Sequence, residues 1–128
     1  MLRFFYVAAG GALGALLRYA VSGWVHRFTS GVFPWGTLVV NLLGSAAIGF
    51  LWGAFEVSVA SQNARLFLFV EILGAFTTFS TFSLESFSLL RDGEYGFLIW
   101  NIVMSVGFGI ALAFTGYLSA RYLVNMLR

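Results

Sequence analysis

Four stretches, roughly residues 4–24, 35–55, 66–90 and 96–123, are interrupted by charge only at Arg18, Glu71, Glu85 and Arg121. An α-helix of about 20 apolar residues spans the hydrocarbon core of a bilayer. At 60% hydrophobic and 9% charged, a chain of 128 residues holds more apolar surface than a soluble domain of that size can hide. It therefore reads as an all-α membrane protein, one domain over residues 1–128, with four transmembrane helices and no soluble catalytic or ligand-binding module. The first run passes Gly10, Gly11 and Gly14 and continues beyond Arg18 to Trp24 without a cleavage site. That favours a retained helix over a signal peptide.

Composition removes several kinds of chemistry. With no cysteine there is no disulfide, thiol or cysteine-ligated metal site. The lone histidine, His26, lies in the first loop with nothing around it to build a zinc centre. The net charge is +2 and every basic residue is arginine, mostly at helix ends. Such residues anchor a protein at the headgroups and do not form a nucleic-acid patch. An enzyme is not expected. Trp24 and Trp35 bracket the first loop like an aromatic belt, and Pro34 suits the start of the second helix, where a missing N–H costs nothing.

The third run carries the most unusual stretch, Gly74-Ala75-Phe76-Thr77-Thr78-Phe79-Ser80-Thr81-Phe82-Ser83. Backbone polar groups in hydrocarbon need internal partners, so a polar, helix-weakening patch in mid-span requires a reason. Isolated Ser and Thr bond the preceding turn or glue neighbouring helices. This density beside a glycine points instead to a broken helix lining a polar cavity. Glu85 shares a helical face with Thr78 and Thr81, at i, i+3 and i+7. An ionisable group at that depth signals function unless it is paired, and Arg18 is a candidate partner. Arg18 otherwise snorkels to the headgroups or faces a vestibule that attracts anions. Glu71, about one turn into its run, reads as near the interface.

Polar residues recur on two more helices. Thr37, Asn41, Ser45, Gly49 and Gly53 form an i, i+4 stripe on the second, and Asn101, Ser105 and Gly109 repeat the pattern on the fourth. On the first, Gly10-x-x-x-Gly14 and Gly11-x-x-x-Ala15 offer small faces for close packing. Asn41 either glues helices or turns its amide donors toward an anion. Ring edges of Phe79 and Phe82 carry the positive end of the aromatic quadrupole. Together these groups could hold a small, strongly hydrated anion without binding it too tightly to release. The plain alternative makes both rings packing residues.

Arginines divide almost evenly between the two sides. Arg3, Arg65, Arg121 and Arg128 fall on one side; Arg27, Arg91 and Arg18 fall on the other. So flat a balance leaves orientation unspecified and favours insertion both ways, with opposed copies pairing about a two-fold axis in the membrane plane.

The segment Gly74 to Glu85 resembles the G-G-x-[ST]-T-F-S-T-F-S-x-E signature of the Fluc (CrcB) family of fluoride channels. Gly36-Thr37-Leu38-Val39-Val40-Asn41-Leu42 resembles its G-T-L-x-V-N-L motif, and Gly11-x-x-Gly14-x-x-x-Arg18-Tyr19 its first-helix segment. The resemblance implies a fluoride-selective channel of the inner membrane that exports cytoplasmic fluoride passively. It implies an antiparallel homodimer with two pores and a third helix broken at mid-membrane. Asn41, Phe79 and Phe82 would meet fluoride, with Ser80, Thr81, Ser105 and Thr37 along the polar path. Arg18 would stand in the vestibule and Glu85 along the anion path. Carbonyls of Gly74 and Thr77 from both subunits would surround a structural sodium ion, Na+. The sequence departs from the pattern at Ala75, where a second glycine is usual. Asn101 stands where some members carry a pore tyrosine, and Gly109 where some carry serine. Two rival classes are a small dual-topology multidrug exporter and a non-transporting membrane subunit. The exporter needs an acid in its first helix, where this chain has Arg18. The subunit needs no polar stripes on three helices.

Overall fold

The computed structural model describes residues 2–56, 65 and 67–127, with only the backbone of residues 2 and 3. Ser58, Ser61, Gln62 and Asn63 of the second loop, Leu66 at the expected start of the third helix, and Arg128 lie outside the described residues. Among those described, helix is the only regular secondary structure. Four of its runs are long and apolar enough to cross a membrane: Phe4–His26, Trp35–Glu56, Phe67–Arg91 and Tyr95–Met126. The first two are single helices, α1 (Leu2–His26) and α2 (Trp35–Glu56). Pro34 immediately precedes α2, and its carbonyl accepts from Leu38 N at 3.1 Å, the first bond of the helical ladder.

The third and fourth spans are composite. A π-wound segment, Phe67–Leu73, leads into a short turn, α3 (Gly74–Phe76), and then α4 (Phe79–Arg91) follows. A three-residue turn joins α4 to α5 (Tyr95–Val103); a second π-wound segment, Met104–Phe108, passes into α6 (Gly109–Met126). Gly93 makes the sharp turn possible: its φ of 78° lies in the left-handed region. Glu94 N reaches Leu89 O at 2.9 Å and Gly93 N reaches Leu90 O at 3.2 Å, the paired bonds that close a helix end. Beside it, the hydrogen bond from Arg91 lowers the Asp92 carboxyl from its ordinary value, against the opposing effect of desolvation.

Small residues set how closely the spans approach. On α1, a Cβ at Gly14 would strike the Ile72 carbonyl, and one at Gly10 would lie 2.8 Å from Glu71 Cβ. The Gly10-x-x-x-Gly14 face therefore seats the third span, whereas Gly11 faces open space. On α2 the stripe divides. Gly49 and Gly53 press on α6 at the Ala113 backbone and at Tyr117 and Ala120, while Thr37 and Asn41 turn to the third span. From α6, Gly116 answers against the Ala46 carbonyl and Phe50 N.

Candidate pore site

The site begins where the third span stops being a helix. Thr77 adopts φ −78°, ψ 160° and Thr78 φ −149°, ψ 115°, two extended residues between α3 and α4. Thr77 ends the first part by placing both its N–H and its hydroxyl on the Leu73 carbonyl, each at 3.0 Å. A Cβ at Gly44 of α2 would run into Thr77 Cγ2, so only glycine there lets this threonine come so close. Thr78 starts the second part. Its hydroxyl accepts from Thr81 N at 3.2 Å, a helix N-cap, and donates to Thr81 Oγ1 at 2.9 Å.

An extended residue inside a helical span has lost its ladder partners, and Asn41 supplies them. Thr78 N donates to Asn41 Oδ1 at 2.8 Å, and Asn41 Nδ2 donates to Thr78 O at 3.1 Å. One side-chain amide thus pairs with the residue as a neighbouring strand would. These bonds have a second effect four residues earlier. Thr78 N and Thr81 N are engaged elsewhere, so the carbonyls of Gly74 and Thr77 lose the donors a continuous helix would give them.

A cleft of about 350 Å³ opens at this point. Asn41, Ser45, Gly74, Thr77, Phe79, Phe82 and Ser105 are among its lining, and no lining residue is charged. The Phe79 and Phe82 rings stand 5.8 Å apart, tilted by 41°, and Phe79 is 79% exposed. The cleft thus gathers Asn41, Phe79, Phe82, Ser105, Gly74 and Thr77 from the residues singled out in the sequence. Ser80 and Thr81 stay at the cap around Thr78 and do not line the cleft.

Thr37 and Glu85 lie apart from it as a pair, Thr37 Oγ1 donating to Glu85 Oε1 at 2.7 Å. Arg18, the candidate partner of Glu85, does not pair with it among the described residues. Ion pairs among the described residues join Arg91 to Asp92 and Arg121 to Glu56, and Glu85 takes a neutral hydroxyl from the adjacent α2 instead. Arg18 is half-buried on α1. Oε2 of Glu85 and Oε2 of Glu71 are both buried without a hydrogen-bond partner among the described residues, the latter beside Gly10. No group of three His, Cys, Asp or Glu side chains gathers among the described residues.

The sequence reading puts Thr78 only on the face of Glu85 and gives Ser86 no part; the structure brings both to the site. Thr78 enters through its backbone, which residue identity does not announce. Ser86 enters by accepting from Asn101 Nδ2 at 3.0 Å, and its only signal was a place two turns beyond Phe79 on one face of α4.

Comparison with known proteins settles the lineage. The family model described as CrcB-like protein, Camphor Resistance (CrcB), matches residues 5–117. This chain belongs to the CrcB family. A relative from Parabacteroides distasonis is 39% identical over 128 residues, covering 100% of both chains. Relatives from Desulforapulum autotrophicum and Thermus thermophilus are each 47% identical, over 87% and 90% of this chain and 91% of their own lengths. All three are named fluoride-specific ion channel FluC. With four spans and this family, the chain is a multi-pass membrane protein, in bacteria one of the inner membrane.

Proposed function

We propose that this CrcB family member is a fluoride-selective channel, not an enzyme, and that it lets cytoplasmic fluoride leave passively down its electrochemical gradient. The observation that carries this reading is the uncharged cleft where Asn41, the Phe79 and Phe82 rings and Ser105 meet. Its relatives' shared name supports it. An amide nitrogen has two hydrogens; Thr78 O takes one, leaving the other for an ion. Ring edges add positive potential without full charge, and the N-terminus of α4 adds its share of the helix dipole. Neutral groups of this kind hold an anion weakly enough to release it.

The working unit in this reading is an antiparallel homodimer with two pores, and the Thr77–Thr78 interruption lies at mid-membrane. The near-even arginine balance supports that arrangement. The freed Gly74 and Thr77 carbonyls fit a hard cation such as Na+, and two copies would double the oxygen donors. The ion would fix the two interruptions against each other. Thr37 and Glu85 on the path and Arg18 in the vestibule complete the assignment.

Flux from liposomes tests it. Purified protein should release fluoride down its gradient and hardly pass chloride. Equal chloride flux, or strict dependence on a proton gradient, removes the channel reading.

A further inference from the structure

Asn101 is the most deeply buried polar residue described, 1% exposed, and it does not line the cleft. Its amide reaches to both sides. Nδ2 donates to Ser86 Oγ on α4 at 3.0 Å, and Oδ1 accepts from Ser105 Oγ at 3.5 Å. The two hydroxyls belong to opposite walls. Ser86 shares the α4 face of Phe79 and Phe82, at i, i+3 and i+7, so it stands below the ring wall. Ser105 lies in the π-wound segment Met104–Phe108 and lines the cleft itself.

Within the chain Leu89 is the one buried residue described on α4, and the Asn101–Ser86 bond is a directed contact between these walls. We infer that Asn101 is a positioning residue: by bridging Ser86 and Ser105 it fixes the width of the cleft between the phenylalanine rings and the Ser105 hydroxyl. The inference rests on the channel reading above and adds a determinant of anion choice to it. The two bonds differ in a useful way. At 3.0 Å the Ser86 bond is of ordinary length and holds the wall. At 3.5 Å the Ser105 bond is long for a hydroxyl donor, so this hydrogen can turn from Asn101 to a passing anion at small cost. A cleft held narrow favours a small anion; one that relaxes outward admits a larger one.

The test compares fluoride and chloride flux in liposomes for wild type, Asn101→Ala, Ser86→Ala, the double variant and Ser86→Thr. The fluoride-to-chloride preference should fall about fivefold in each alanine variant, the factor set by the free energy of one typical hydrogen bond. The double variant should fall no further than Asn101→Ala, which already removes the bond that Ser86→Ala removes. Ser86→Thr keeps the hydroxyl and should keep the preference. Ser86 is only half-buried, so Ser86→Ala remains decisive should Asn101→Ala fail to assemble. Wild-type selectivity in the Ser86→Ala channel, or an additive loss in the double variant, overturns the inference while leaving the channel reading intact. A wild-type protein that passes no fluoride removes both.

Discussion

The second span meets the third and the fourth in opposite ways. Against α6 glycines on both helices let backbone lie on backbone: Gly49 on Ala113 and Gly53 on Tyr117 from α2, and Gly116 of α6 on Ala46. Against the third span it offers hydrogen bonds: Asn41 to Thr78 and Thr37 to Glu85. Lipid gives no hydrophobic reason for helices to associate, so each contact must supply its own attraction. The glycine seam supplies dispersion over a long, close approach and tolerates no added atoms. The polar contacts supply directed bonds that fix individual groups and leave a cleft between them. The first contact makes a platform; the second makes a place where an ion can be handled.

Substitutions on the two sides should therefore fail differently. Gly49→Val has the largest expected effect. Its side chain meets the Ala113 backbone, which cannot swing aside, and overpacking of this kind costs about 3 kcal/mol or more. Gel filtration should show no folded species. A normal profile would mean that the seam is looser than described.

Asn41→Ala comes next. It strands the N–H and C=O of Thr78, at about 1–3 kcal/mol for each group. The thermal midpoint in detergent should drop and fluoride flux should be lost. A stable but silent variant would assign Asn41 to the ion alone.

Phe79→Ile and Phe82→Ile keep bulk and apolarity but delete the ring's positive edge. At about 0.5–1.5 kcal/mol per ring interaction, flux should fall up to about tenfold in each while gel filtration stays normal. Normal flux from both would make these rings packing residues.

Thr77→Ser is the mildest. The carbonyl stays, and so does the hydroxyl that bonds Leu73 O. Flux and thermal midpoint should both match wild type. A lowered thermal midpoint would instead show that the Thr77 methyl, lodged against Gly44, matters more than the carbonyl.

The sequence made the spans legible because charge is absent over such long runs. It also made the unusual stretch legible, because Thr, Ser and Gly cluster where apolar residues are the rule. Partner choice was harder to read. Asn41 offers the same donors to an anion, a side chain or a backbone, and nothing in its own spacing says that Thr78 claims both ends of its amide. The α2 stripe was visible as i, i+4 spacing, but not its division into a packing half and a bonding half. Arg18 and Glu85 looked complementary by charge, yet Thr37 holds the carboxylate. The winding of Met104–Phe108 also lay hidden. A π-turn takes one residue more than an α-turn, so a stripe counted at i, i+4 loses its register there.

The way Asn41 holds Thr78 also says how the two positions can drift over generations. Both bonds go to main-chain atoms, so Asn41 is indifferent to which side chain residue 78 carries. Position 78 can lose its methyl, as in serine, but must keep the hydroxyl that accepts from Thr81 N and donates to Thr81 Oγ1, and it excludes proline because proline lacks the N–H. Position 41 has no such latitude. Aspartate cannot donate, glutamine is a methylene too long, and leucine does neither job. Among descendants of this chain, position 78 should therefore vary no further than between hydroxyl residues and position 41 not at all, although the two residues form a single contact.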